Sequence, residues 1–310
     1  MAVDLKGRNL ISIHDYSLEE INLIFETAKL LKTEAKMGIY RPILKNKTLA
    51  MIFQKPSTRT RVSFEIGMNQ LGGKGLYLSS TELQLNRGET IGDTAKVLSR
   101  YVDGIMARVF SHSDIEGLAN YGSVPVINGL SDFLHPCQAL ADFYTILEKK
   151  GYLKGINVTY LGDMNNVSNS LINASSKTGA NITICCPSIL KLNEDILKWF
   201  EEDSKESGST LKVSQDPKES VMNADIIYTD VWTSMGSEEE HDARVRLFSD
   251  YQVNSKLMSY APSSALVMHC LPAHRGEEIT DEVVDSKQSI VFDEAENRLH
   301  VQKAILSLLL

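Results

Sequence analysis

Two hydrophobic rhythms run along this chain, and they take turns. From Ser17 to Met37 the apolar positions recur at helical spacing, with Leu18, Ile21, Ile24, Phe25 and Ala28 on one face. TLAMIF (48–53) is then a short continuous apolar run, the pattern of a strand buried on both faces. Phe64, Met68 and Leu71 follow at i, i+4 and i+7, which predicts a helix stopped by Gly72-Gly73. The alternation continues with a strand over 75–79, a helix near 90–100, a strand over 104–109, a helix near 113–120 and a strand over 124–128. A longer helix is predicted from about Pro136 to Lys149, closed by Gly151. Pro136 suits its first turn, where the missing N–H costs no helical hydrogen bond.

A second series then starts. Strands are predicted at 157–162, 181–186, 211–215, 226–232 and 265–271. Helices are predicted at about 166–178 and around 193–204, as a short one before 226, within 240–258, and at about 294–309. Short apolar strands alternating with helices imply parallel sheets covered on both faces. The fold class expected is therefore α/β, with two domains, each a doubly wound parallel sheet flanked by helices, joined by long helices. A chain of 310 residues exceeds what one core usually holds, and the break near 135–155 suggests domains over 1–148 and 149–310. In open sheets of this kind, ligands sit beyond the carboxyl ends of the strands.

Composition narrows the functions without naming one. Net charge is 32 − 40 = −8, which argues against general affinity for nucleic acid or an anionic membrane. No apolar run approaches the ~18 residues of a membrane span. The N-terminal MAVDLKGRNLISIHD lacks the features of a signal or transit peptide, and the four cysteines form no CxxC pair, so a reducing cytoplasm is the expected location. Basic clusters in such an acidic chain have to be local.

Polar clusters gather where the predicted strands end. After the 48–53 strand, Ser57, Thr58, Arg59, Thr60 and Arg61 crowd the start of a helix, where backbone N–H groups and the macrodipole favour an anion. The simpler alternative is a serine cap with solvated arginines. Arginines at that end oppose the dipole unless an anion is shared, and the glycine-lysine pattern of a nucleotide P-loop is absent. Arg108 ends the next strand and could join the same anion, or be an ordinary surface arginine; Gln84 and Arg87 lie on the loop before it. His135 stands just ahead of a helix with Gln138 in its first turn, able to polarise a carbonyl and hold an amide, or simply to cap. The turn after 157–162 keeps only Gly162 of a dinucleotide-binding G-x-G-x-x-G, so no such cofactor is expected; Asn166 offers a side-chain amide instead. Asp230 ends a strand ahead of a polar SMG loop and suits a cationic amine, or a turn. Cys270 reads four ways: nucleophile, metal ligand, packed thiol, or polar contact to a bound amine. Zinc wants four ligands, whereas His269, Cys270 and His274 supply at most three at unsuitable spacing, so no metal is expected.

Taken together, PSTRTRVSFE (56–65), TELQLNRGE (81–89), MARV (106–109), HPCQALAD (135–142), GDMNNVSNS (162–170), TDVWTSMG (229–236), HCLPAHRG (269–276) and FDEAENRLHVQKAIL (292–306) resemble the aspartate/ornithine carbamoyltransferase family. The match runs in order over nearly the whole chain; STRTR with HPCQ marks carbamoyl-phosphate enzymes, and SMG with HCLPAHRG marks the ornithine branch. The resemblance implies a first domain for carbamoyl phosphate and a second for ornithine, with the last helix packing back on the first. It implies that Ser57, Thr58, Arg59 and Thr60 hold the phosphate with Arg108 and Arg298. His135, Pro136, Cys137 and Gln138 would border the carbamoyl group, and Gln84 would reach a neighbouring subunit's site. Asn166, Asp230, Ser234 and Met235 would bind the amino-acid end of ornithine, with Cys270 and Leu271 between the substrates. Arg108, His135 and Cys270 are the catalytic candidates.

The reaction so implied is carbamoyl transfer from carbamoyl phosphate to the δ-amino group of L-ornithine, giving L-citrulline and phosphate within arginine biosynthesis. It needs no cofactor, and the family implies a homotrimer or a multiple of one. An aspartate acceptor would want extra cations for its second carboxylate, and Asp230 with the neutral SMG loop argues otherwise; putrescine and N-acetylornithine stay open. A non-catalytic dinucleotide-binding module on the same scaffold is the rival of another class, and the missing glycines weigh against it.

Overall fold

The computed structural model describes residues 3–80, 83, 88–233 and 241–310. They pack as two compact units: Met1–Ala141 with Glu296–Leu310, and Asp142–Ala295. Among the described residues no helix is long and apolar enough to cross a membrane.

In the first unit, α1 (Leu18–Lys36) starts from a capping box in which Ser17 and Glu20 satisfy each other's backbone N–H groups. Its apolar stripe buries Ile21, Ile24, Phe25, Ala28 and Leu31. There follow β1 (Thr48–Phe53), α2 (Thr58–Gln70), β2 (Lys74–Ser79), α3 (Ile91–Leu98), β3 (Gly104–Arg108), α4 (His112–Tyr121), β4 (Val126–Leu130) and α5 (Pro136–Lys150). The strands form one parallel sheet in the order β2-β1-β3-β4. Ala50, Ile52, Ile105, Ala107 and Val126 from these strands sit in one buried cluster. Gly72 ends α2 at φ 82, a conformation that costs glycine little, and a Cβ there would meet Pro42 at 2.8 Å.

The second unit holds β5 (Asn157–Leu161), α6 (Asn166–Thr178), β6 (Asn181–Cys185), α7 (Glu194–Ser207), β7 (Leu211–Ser214), α8 (Pro217–Val221), β8 (Ile226–Thr229), α9 (His241–Phe248), α10 (Ser255–Met258), β9 (Leu266–His269) and α11 (Asp281–Val284). Its sheet is also parallel, ordered β7-β6-β5-β8-β9. The last helix, α12 (Val291–Leu309), and α5 contain the residues where one unit gives way to the other. Each sheet reverses its order beside its first strand, between β1 and β3 and between β5 and β8. Phe53 pairs with Arg108, Leu161 with Thr229, and Thr229 with His269, so the carboxyl ends at these switch points are level.

The hydrophobic pattern and the structure differ in a few places. The strand expected over 124–128 is shifted to Val126–Leu130, because Pro125 has no N–H for the ladder, and the register slips between Ala107 and Arg108. The single helix expected within 240–258 is two, α9 and α10. They are separated because Val253 leaves helical geometry to bridge Ile279, and Asn254 then caps α10 by accepting from Leu257 N. α11 is one turn long, too short to leave a period in the sequence. The final helix begins at Val291 rather than about 294.

Candidate active site

β1 delivers its chain into a tight turn, and Ser57 caps the helix that follows. The Ser57 hydroxyl accepts from Thr60 N at 3.3 Å, which leaves its proton to donate elsewhere. No acidic residue stands in the first turn of α2, so nothing on this helix offsets the positive end of its dipole. Thr60 is fully buried, and Arg298 Nη2 donates to its Oγ1 at 3.0 Å. Thr58 is exposed and Arg59 half-buried on the same turn. Arg61 turns away: its guanidinium lies 3.9 Å from the centre of the Tyr77 ring and 3.5 Å from Glu65. Of the two arginines in the motif, Arg59 is therefore the one left for an anion.

Around this turn the first unit collects positive charge. Arg108 ends β3 level with Phe53. Burial first, then Arg298 and Arg108, hold the His135 imidazole well below the usual histidine range, so it is neutral near pH 7. A neutral imidazole donates from one nitrogen only, which suits contact with a carbonyl oxygen. Pro136 opens α5, and Gln138 is almost fully buried in its first turn, with its N–H on His135 O at 3.1 Å. Cys137 is a packed thiol: it points at Asn128 O, 3.4 Å away, and burial pushes its pKa up to about 12. Lys55 belongs to the same group and was not singled out from the sequence. Burial and then Arg108 pull its amine below the ordinary lysine range, and Nζ sits 4.6 Å from the Phe110 ring centre. Its place between strand end and helix cap, ahead of Pro56, was the available signal.

The second unit builds the opposite surroundings at its strand ends. Gly162 leaves β5 at φ 146, where a side chain would be strained, and the chain runs to Asn165, the cap of α6. Asn165 reaches Asp230: Nδ2 donates to Oδ2 at 2.9 Å. Asn166 occupies the first position of α6. Asp230 is nearly buried and also accepts from Cys270 Sγ at 3.0 Å and from Val231 N at 2.8 Å. A carboxylate offers about four lone-pair directions, so among the described residues roughly one is left for a ligand. Burial, followed by the Asp230 charge, drives the Cys270 pKa well above the usual thiol value. Cys270 is thus a thiol that donates to a carboxylate, which removes the nucleophile reading.

Leu271 follows at φ 56, a left-handed conformation that costs a branched residue energy. Its N–H donates to His269 Nδ1 at 2.8 Å, so the ring proton lies on Nε2, which faces Glu278 Oε1 at 3.0 Å. Asp230, His269 and Cys270 place ligand atoms within 4.8 Å of one another. Both nitrogens of His269 are nevertheless engaged, and a metal there would have to break one of these bonds. A buried acid pair lies behind the site. Burial and Asp142 raise the Glu294 carboxyl well above the usual range, and Tyr228 Oη stands 3.2 Å from both acids. Glu294 also accepts from His269 N at 3.0 Å. Separations of up to 152 positions hid this pair from any local pattern. Gln84, Arg87, Ser234 and Met235 lie outside the described residues.

Comparison with known proteins follows the two units. The carbamoyl-P binding domain of aspartate/ornithine carbamoyltransferase matches residues 8–148, and the Asp/Orn binding domain of the same family matches 154–309. The ornithine carbamoyltransferase of Pyrococcus abyssi is 58% identical over 310 residues, covering 100% of this chain and 98% of that protein. The anabolic ornithine carbamoyltransferase of Pyrococcus furiosus is 56% identical, again over 100% and 98%. The solved structure of ornithine carbamoyltransferase from Pyrococcus furiosus superposes with a TM-score of 0.96, covering 99% of this chain and 98% of that one.

Proposed function

This chain belongs to the aspartate/ornithine carbamoyltransferase family, and we propose that it moves the carbamoyl group of carbamoyl phosphate onto the δ-amino group of L-ornithine, giving L-citrulline and phosphate. The observation that carries this reading is the cationic cluster of the first unit, with Arg298 bonded to Thr60 and a neutral His135 beside Arg108 and Arg298. Ser57, Thr58, Arg59, Thr60, Arg108 and Arg298 hold the phosphate, with Lys55 adding positive charge. Thr60, Arg108, His135 and Gln138 address the carbamoyl oxygen and amide. Pro136 and Cys137 shape the wall behind them.

On the acceptor side, Asp230 takes the α-ammonium through its remaining lone pair, Asn166 contributes its amide, and Ser234 and Met235 complete the amino-acid end. Cys270 and Leu271 stand toward the reacting δ-nitrogen. That amine has an intrinsic pKa near ~10.4, so it must shed a proton before it attacks. Clustered cations favour its neutral form. Attack on the carbonyl carbon gives a tetrahedral intermediate whose oxyanion is met by Arg108, Thr60 and His135, and phosphate then leaves. No covalent enzyme intermediate is required; catalysis is positioning plus electrostatics, with each oxyanion donor contributing ~10²–10³ in rate.

We further propose the setting that the family resemblance implies: arginine biosynthesis in the cytoplasm, as a homotrimer or a multiple of one, with Gln84 assigned to a neighbouring subunit's site. The test is an acceptor panel with carbamoyl phosphate and phosphate release as the readout. L-Ornithine should turn over, and L-aspartate, putrescine and N-acetylornithine should not. Turnover of L-aspartate, or none with any acceptor, contradicts the reading. Thermal stabilisation by NAD but not by carbamoyl phosphate would point to the dinucleotide-binding alternative.

A further inference from the structure

The structure assigns a divalent-cation site to the second unit, built from His241, His274, Glu277 and Glu278. It stands apart from the Asp230–Cys270 pair. Read along the chain, the 269–276 segment offered too few ligands for a metal; the fold supplies the missing ones from the first turn of α9 and from the turn after β9. That turn is closed by Glu277 N on His274 O at 2.9 Å and Gly276 N on Ile279 O at 2.8 Å. The result is that His274, Glu277 and Glu278 bring their ligand atoms within 4.8 Å of one another. His241 Nε2 approaches from α9, 3.1 Å from Glu277 Oε1 and 3.3 Å from Oε2, and His274 Nδ1 lies 3.5 Å from Glu277 Oε2.

Glu278 supplies the second, independent sign. Its side chain is fully buried, and Oε1 accepts from His269 Nε2 at 3.0 Å and from His274 N at 2.6 Å. Oε2 has no hydrogen-bond partner among the described residues. A buried, half-satisfied carboxylate beside a second carboxylate is costly unless a cation is shared. The nearby guanidinium does not serve, because Arg275 is turned to Asp281 and Asp285 at 2.8–2.9 Å. Two imidazoles and two carboxylates form a borderline donor set, suited to zinc, cobalt(II) or nickel(II) at bond lengths of ~2.0–2.2 Å. Small side-chain rotations bring atoms spaced as these are onto one ion. Such an ion ties the start of α9 to the turn that carries Glu278. Through Glu278 it stands one hydrogen bond from His269, which fixes the backbone at Leu271.

The experiment uses the full chain stripped of metal by a chelator, titrated with cobalt(II) by visible absorption and with zinc by calorimetry. One ion per chain should bind with micromolar or tighter affinity and four- or five-coordinate cobalt bands without thiolate charge transfer. His241→Ala and His274→Ala should each weaken binding by ~10–100-fold or more, as should Glu277→Gln, while Cys270→Ser leaves it intact. The histidine side chains are 40% and 44% exposed, so these variants should keep the fold, which circular dichroism checks. Absent or millimolar binding, binding indifferent to all three ligand variants, or binding abolished by Cys270→Ser would each overturn the assignment.

Discussion

In the first unit the switch-point strands end in Arg108 and in the Lys55–Arg59 turn, with Arg298 bonded to Thr60; in the second, equivalent strand ends carry Asp230 and a protonated Cys270, backed by the Asp142–Glu294 acid pair of α5 and α12. Both sheets are parallel, and both reverse order beside their first strand. Shared wiring thus fixes where chemistry can sit, and the side chains at the strand ends fix its sign. Burial acts on both sets in opposite ways. It holds His135 neutral among cations, and it holds Glu294 neutral among acids.

The contrast can be broken from either side, and the largest effect is expected in the first unit. Arg108→Gly removes a donor to both phosphate and oxyanion and should lower kcat/KM by ~10³ or more in a phosphate-release assay. Arg298→Met takes away a buried guanidinium and its bond to Thr60. It should raise the KM for carbamoyl phosphate by ~10²-fold and let the His135 pKa climb toward the ordinary value, followed by NMR titration. Cys270→Ala loses one donor to Asp230, and the KM for ornithine should rise ~10-fold with that for carbamoyl phosphate unchanged.

The smallest effects are on stability, and they run in opposite directions with pH. The folded pKa of His135 is depressed, so its contribution is present above the unfolded value of about 6.5 and is lost as pH falls. His135→Gln should flatten the acid side of a melting-temperature profile below that point. The folded pKa of Glu294 is raised, so its contribution is present below the unfolded value of about 4.5 and is lost as pH rises. Glu294→Gln should therefore melt higher than the parent at pH 8 and lose that advantage by pH 4. Like-signed responses from the two variants would erase the contrast.

Much of this was legible in the sequence because it is local. Short apolar runs give buried strands, and the strand-end rule points to Ser57–Thr60, Arg108, Asp230 and Cys270 from the sequence alone. Pro125 delayed β4 by two positions and Val253 split a helix, since one missing N–H or one bridge outweighs a periodic pattern. Asn165, the cap of α6, reaches Asp230 from 65 positions away, a contact that no local pattern announces. The Asp142–Glu294 pair and the His241–Glu277 contact join residues 152 and 36 positions apart, and no spacing rule reports such pairs.

The central claim is that the first unit's cationic turn, and not the second unit's acid–thiol pair, receives the phosphorylated substrate. Calorimetric titration of carbamoyl phosphate into the parent, Arg108→Gly and Cys270→Ala proteins tests it most directly. Binding should fall by ~10²-fold or more in Arg108→Gly and stay at the parental level in Cys270→Ala. Equal losses in both variants, or parental binding in Arg108→Gly, would contradict it.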